Sequence, residues 1–320
     1  MNDTGRRAVN AVDGVPFVSE VIPGVLDGER IDRTVAMLTG SSRAEAAEAL
    51  SNGTVTVNDR VVTKASTRLS EGDEVKVLAD PIKVEEALIA DPEVKFGVVH
   101  EDDDIIVIDK PPGLVVHPGA GHSGSTLVHG LIARYPELIG VGEEHRPGLV
   151  HRLDRGTSGL LVIARTTRSY ESLVEQISTH RAERVYSALT WGHFDHANAV
   201  IDAPIGRSKR DPLRMTVAVD GRASRTHYSV EEVYWEPIEA SLITCSLETG
   251  RTHQIRVHLS SIGHSVIGDG TYGGARKSFP LPRPFLHARQ LSFAHPGSGD
   301  DVTYESPLPA DLTKVLDQLS

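Results

Sequence analysis

The spacing of apolar positions divides the chain into a helix-led part and a strand-led part. Ile31, Val35 and Leu38 recur at helical spacing, and Ser41-Ser42 precedes a second helix over Arg43 to Leu50 that Asn52-Gly53 closes. Thr54 to Val57 alternates with the period of a strand. Asn58-Asp59 turns the chain, and Glu71-Gly72-Asp73 leads into a last strand from Glu74 to Leu78. Beyond residue 93, strand signals dominate: Val98 to His100, Ile105 to Ile108 with a continuation past Pro111-Pro112-Gly113 at Leu114 to Gly119, Arg184 to Thr190, Thr216 to Val219, Arg225 to Val233, Ala240 to Leu247, Arg289 to Ala294 and Asp301 to Glu305. Helices are predicted at Thr126 to Tyr135, at Ser169 to Thr179 with Leu173, Val174 and Ile177 inward, and at Arg251 to Ser261. Many strands with a few interspersed helices predict an α+β fold, a small α/β module followed by a mixed, largely antiparallel sheet domain.

The punctuation between these parts sets the domain plan. Met1 to Gly14 has no apolar core, and residues 1–27 are taken as a flexible segment, 28–79 as the small module, 80–92 as an acidic linker with Pro81 and Pro92 near its ends, and 93–320 as the larger domain. No internal repeat or low-complexity run interrupts this plan. No apolar stretch approaches the roughly 20 residues that span a bilayer, and the N-terminus lacks the apolar core of a secretory signal. The single cysteine, Cys245, excludes an internal disulfide and a multi-cysteine metal site, and suits a reducing cytoplasm. The fifteen histidines show no metal-binding spacing, since His253 and His258 do not share one helical face, so no metal is expected. A net charge of -11 means that any polyanionic partner must meet a local basic patch.

Candidate chemistry concentrates at Gly148 to Arg165. Leu160 to Ala164 is an unbroken apolar run, the mark of a strand buried on both faces, and Gly156-Thr157-Ser158-Gly159 makes a tight polar turn before it. Asp154 therefore stands at the mouth of a buried strand. Arg152 and Arg155 flank it, cations that favour the charged form a nucleophile or base requires.

Two resemblances follow from these and other motifs. Glu29-Arg30-Ile31-Asp32-Arg33, Ser42-Arg43, Gly53 to Asn58 and Gly72 to Val75 resemble an S4 domain, a small RNA-binding module. That implies phosphate contacts for Arg30, Arg33, Arg43 and Lys64, although Glu45, Glu48 and Asp59 depart from the pattern. Asp109-Lys110-Pro111-Pro112-Gly113-Leu114-Val115-Val116-His117-Pro118 and His151-Arg152-Leu153-Asp154-Arg155-Gly156-Thr157-Ser158-Gly159 are similar to the first two motifs of the RluA/RluD pseudouridine synthases. Gly250 to Leu259 resembles the third, with Gly268-Asp269 downstream. Arg184-Val185-Tyr186 resembles the strand that carries the family's tyrosine, with Arg184 where lysine is common. Leu286-His287-Ala288 and Phe293 to Pro296 match its closing segment, and Ser265 replaces a frequent proline.

The resemblance implies cofactor-free isomerisation of uridine to pseudouridine in structured RNA, most naturally large-subunit ribosomal RNA, by a cytoplasmic monomer. Asp154 would act at the ribose, Arg256 would orient it through a planar fork, and Tyr186 would stack on uracil. Ile255 supplies an apolar wall, and Lys110, His151, Arg155 and Thr157 complete the substrate-binding set. The nucleotide must be flipped out, and Arg152 is long and planar enough to fill the gap. The basic run from Arg207 to Arg225 is a second expected RNA contact. His151-Arg152-Leu153-Asp154 also brings to mind a kinase catalytic loop, but the inserted Leu153 and the absence of an Asp-Phe-Gly run exclude it. A non-catalytic RNA binder is the stronger rival, and the joint presence of Asp154, Tyr186 and Arg256 argues against it.

Overall fold

The computed structural model describes residues 18–78, 88–118, 124–211 and 214–320. They fall into two compact units, the second beginning at Leu88. The first comprises β1 (Val18–Val21), α1 (Ile31–Thr39), α2 (Arg43–Ser51), β2 (Val55–Val57), β3 (Arg60–Val61) and β4 (Glu74–Val77), with sheet order β1-β4-β2-β3. Ile31, Val35, Ala46, Leu50, Val55, Val75 and Val77 form its core. The second helix starts where predicted because Ser42 and Glu45 make a reciprocal capping box. Asn58 and Asp59 both take positive φ, 50° and 62°, the backbone of a tight hairpin turn between β2 and β3.

Two boundaries differ from the sequence-based plan. Val18 to Val21 pairs along β4, and Ile22 is buried in the same core, so the ordered module starts well before Gly28. A four-residue strand followed by a short turn is too brief to betray itself by periodicity. At the other side, Leu88 packs on the second core and the Asp91 N–H donates to the His129 carbonyl at 3.0 Å, so residues 88–92 belong to the larger unit. The expected flexible segment over residues 1–17, the last residue of the small module and the expected linker over 80–87 lie outside the described residues.

The larger unit contains β5 (Gly97–Glu101), β6 (Ile105–Lys110), α3 (Leu127–Arg134), a short hairpin of β7 (Gly142–Glu143) and β8 (Arg146–Pro147), β9 (Ser158–Ala164), α4 (Thr167–Ser178), β10 (Glu183–Trp191) and β11 (Asn198–Asp202). It continues with a second hairpin of β12 (Ile205–Arg207) and β13 (Met215–Val217), then β14 (Arg225–Tyr234), β15 (Ala240–Leu247), α5 (Gln254–Ser261), β16 (Leu286–Ala294), β17 (Asp301–Glu305) and α6 (Ala310–Leu316). One nine-stranded sheet runs β11-β14-β15-β10-β16-β9-β6-β5, with β17 also on β16. Its ladders are antiparallel except the short β9–β16 pairing, His287 with Ser158 and Ala288 with Gly159. All seven residues of β9 are buried, as its unbroken apolar run requires. Gly159 permits the close approach to β16: its φ is +112°, and a Cβ there would lie 2.2 Å from the Ala288 carbonyl oxygen.

Several local expectations are corrected. Leu114 to Pro118 does not continue as a strand; the Val115 and Val116 carbonyls instead accept from Leu127 and Val128 N–H and seat the start of α3. Helix α5 begins at Gln254, because His253 is left-handed with φ 58°. Leu173 is buried but Val174 is exposed, so the inward stripe of α4 is narrower than predicted.

Candidate active site

The segment between β8 and β9 carries Asp154, and its own hydrogen bonds set its shape. Thr157 N–H donates to the Asp154 carbonyl at 3.0 Å, closing the turn. Gly113 N–H donates to the Arg155 carbonyl at 2.7 Å, tying in the Pro-Pro-Gly bend. Lys110 is wholly buried beneath both, its Nζ donating to the carbonyls of Pro111 (2.8 Å), Leu114 (2.9 Å) and Arg155 (3.4 Å). Burial pushes its ammonium down to about 7, against the opposing pull of Asp154. Lys110 is thus a strut, and the expectation that it meets substrate is not supported by its position. Arg155 likewise turns away, its Nε donating to the Gly113 carbonyl at 3.2 Å, and neither residue lines the cavity beside Asp154. A backbone carbonyl array satisfies Lys110 more completely than a ligand at the surface could.

That cavity has a volume of about 510 Å³. Asp154, Arg152, His151, Thr157, Tyr186, Ile255 and Arg256 all line it, so residues distant in sequence converge as predicted. Arg256 Nη1 donates to Asp154 Oδ2 at 3.0 Å, and this guanidinium, not Arg155, is the cation that grips the carboxylate. Its other edge forms a two-pronged contact with Asp269, Nε to Oδ2 at 2.6 Å and Nη2 to Oδ1 at 2.9 Å. Asp269 is fully buried, and Oδ1 also accepts from the N–H groups of Thr271 and Tyr272 at 2.9 and 3.1 Å. Burial opposes the charge of Arg256, but Asp269 and Asp154 outweigh it and push its pKa up. The fork is therefore fixed on one side and presented to Asp154 on the other.

Tyr272 completes the support. Its ring lies 5.1 Å from the Arg256 guanidinium carbon and 5.2 Å from that of Arg214, the residue just before β13. Its hydroxyl accepts from Met215 N–H at 3.1 Å and shares a 2.9 Å hydrogen bond with His253 Nδ1. His253 Nε2 in turn lies 4.0 Å from Asp154 Oδ1. Burial pushes the Tyr186 hydroxyl up to about 12, so it is protonated at neutral pH. Arg152 is exposed at the cavity wall, where a long cation can reach an incoming strand. Asp269 enters the sequence motifs only as Gly268-Asp269, with no role implied, and Tyr272 belongs to none of them. Their turn has no periodicity, and only tertiary pairing with Arg256 reveals them.

In the small module, Arg30, Arg33 and Arg43 do not present bare guanidinium groups. Arg30 forms a fork on Asp32 at 3.0 and 2.9 Å, Arg43 reaches the same carboxylate at 3.0 Å, and Arg33 pairs with Glu29 at 3.0 Å. The hydrogen bond from Arg30 is the main cause that takes Asp32 down to about 2. The three guanidinium groups stay substantially exposed but Asp32 is buried, so the Arg33–Glu29 pair is the one weak enough to exchange readily for a phosphate. Lys64 is exposed. Among the described residues, one cluster has metal-ligand composition, His100, Asp102 and His295. His295 Nδ1 accepts from Gly297 and Ser298 N–H, so Nε2 carries the proton donated to Asp102, and the cluster is a hydrogen-bonded clip. No helix of the described residues is long and apolar enough to cross a membrane.

The chain is similar to known proteins over most of its length. A family model described as RNA pseudouridylate synthase matches residues 104–261, and an S4 domain model matches residues 29–75. The protein described as the uncharacterized RNA pseudouridine synthase YlyB of Bacillus subtilis is 41% identical over 293 residues, covering 91% of this chain and 94% of its own. Ribosomal large subunit pseudouridine synthase D of Nitrosomonas europaea is 40% identical over 303 residues, covering 92% of this chain and 86% of its own. Among solved structures, human RNA pseudouridylate synthase domain containing 1 superposes with a TM-score of 0.53 and 28% identity, covering 67% of this chain and 83% of that one.

Proposed function

The chain belongs to the RNA pseudouridine synthases, and from that premise we propose that it isomerises specific uridines of large-subunit ribosomal RNA, with Asp154 as the reacting carboxylate. One observation carries the assignment of the carboxylate. Asp154 is gripped by a guanidinium that is itself locked on Asp269, and it shares a cavity with Tyr186 and Ile255. Such an arrangement holds one charged oxygen in a fixed place without help from solvent. The ribosomal target is supported by the S4 module and by relatives named for the large ribosomal subunit.

The reaction rearranges one molecule and changes no oxidation state, so it needs no redox cofactor. The C1′–N1 bond breaks with its electron pair leaving on uracil, C1′ joins C5, the C5 hydrogen departs as a proton and N1 gains one. Asp154 acts at the ribose while the base is detached. Tyr186 offers a face for uracil and a protonated hydroxyl. Ile255, almost wholly buried, supplies apolar wall. Arg152 occupies the gap left when the uridine is flipped out of its stack. Mapping pseudouridine in ribosomal RNA before and after treatment with the purified protein tests this reading, and RNA that stays unmodified refutes it.

A further inference from the structure

Among the described residues, four buried side-chain polar atoms have no hydrogen-bond partner: Thr56 Oγ1, His117 Nε2, His151 Nδ1 and Arg184 Nε. The last three belong to residues that line the cavity beside Asp154. Buried polar groups are normally satisfied, so a concentration of orphans around one cavity points to what the cavity takes. Arg184 stands two residues before Tyr186 on β10, which places both side chains on one face of the strand. It is 4% exposed, yet no carboxylate of the described residues pairs with it. Its Nη2 donates to the carbonyls of Leu247 at 3.4 Å and Glu248 at 3.0 Å. Nη1 fills the space beside Gly250, where a Cβ would come within 2.7 Å. An unpaired buried guanidinium is costly, and the partial charges of two carbonyls do not neutralise it.

His151 supplies a second donor. Its Nε2 accepts from Val162 N–H at 3.2 Å, so the neutral ring carries its proton on Nδ1. Burial first, and then the charge of Arg184, keep that ring neutral. His117 is different: Nδ1 donates to the Pro118 carbonyl at 2.7 Å, leaving Nε2 as an acceptor unsuited to an anion. Two N–H donors, one of them on an uncompensated cation, therefore wait in a dry wall of the cavity. Donors fixed in a water-free site act most strongly on charge that develops during reaction.

Resting on the reading that this cavity takes a uridine, we propose that Arg184 and His151 form an oxyanion subsite for a negatively charged oxygen of the RNA. The oxygen belongs either to the detached uracil or to a phosphate beside the flipped nucleotide. Single-turnover isomerisation of a uridine-containing stem-loop at saturating enzyme, and binding of the same RNA by proteins also carrying Asp154→Asn, separate the two sources. For the uracil oxygen, Arg184→Gln slows turnover by about 100-fold with RNA affinity unchanged, and Arg184→Lys recovers part of the rate. For a phosphate, affinity falls and its salt slope drops by about one, while the rate at saturation holds. Either outcome supports the subsite. An Arg184→Gln protein that folds and matches the wild type in both rate and affinity overturns it. Should that variant fail to fold, the wild-type protein decides by NMR: the Arg184 Nε–H and His151 Nδ1–H signals shift when the stem-loop saturates it, and unmoved signals overturn the proposal. A wild type that forms no pseudouridine defeats the reading of function, whereas an active wild type with an indifferent Arg184→Gln defeats only the subsite.

Discussion

Replacing Asp269 with Asn would test whether the buried pair behind Asp154 holds the site in shape. Asp269, itself fully buried, takes two N–H groups of Arg256 and two backbone N–H groups. Asn keeps the size and one acceptor oxygen, which preserves the bonds from Thr271, Tyr272 and one prong of Arg256. It loses the charge and turns an amide N–H toward the other guanidinium N–H. Removing one partner of a buried ion pair costs about 3–5 kcal/mol. The retained oxygen, and Asp154 still facing Arg256, reduce the expected loss to about 2–3 kcal/mol. For a unit of this size that lowers Tm by about 5–10 °C. With its anchor gone, the Arg256 fork no longer has one orientation, and misplacement of this kind slows turnover by about 10-fold or more. Thermal unfolding followed by circular dichroism, and single-turnover pseudouridine formation well below the transition, give both numbers. Wild-type Tm together with wild-type turnover would show that Asp269 does not hold the site in shape.

Three further outcomes are expected. Lys110→Met leaves the carbonyls of Pro111 and Leu114 without their donor, the Arg155 carbonyl keeping Gly113 N–H, so stability falls by about 1–3 kcal/mol in denaturant titration and turnover falls with it; a stable, fully active variant would contradict the strut. Arg152→Ala, assayed at saturating enzyme, loses far more activity on structured RNA than on a flexible single strand, and equal losses would defeat its gap-filling role. His151 has a folded-state pKa of about 3 against 6.5 when exposed, so the unfolded chain binds the proton and the contribution of the neutral ring is complete above about pH 6.5 and lost as pH falls toward 3. His151→Gln accordingly flattens the acid limb of the stability curve, which urea titrations across that range would measure.

Local patterns make the strands β9, β10 and β15 and the helices α1 and α2 legible in the sequence, because each is a run whose period or composition is strong, and Asp154 stands out at the mouth of one of them; Tyr186 and Arg256 are singled out only by the family resemblance. What stayed hidden depends on partners far along the chain. Asp269 looks like any turn aspartate until the fold brings it under Arg256. Lys110 and Arg155, beside the cavity in sequence, are turned toward main-chain carbonyls that a linear reading does not display. Arg30 and Arg43 share Asp32, an acid two residues from one and eleven from the other, and only the packing of α1 on α2 closes that triangle. The strands β1 and β11 are short and partly exposed, so no clear alternation announces them.

Whether Asp154 performs the isomerisation can be decided in cells. Cells lacking the protein, supplied with equal amounts of the wild-type chain or of Asp154→Asn, would have their ribosomal RNA mapped for pseudouridine, with RNA binding of both proteins measured alongside. The wild type is expected to restore pseudouridine at defined uridines, and Asp154→Asn to restore none while still binding the RNA. Pseudouridine restored by Asp154→Asn would contradict that role for Asp154.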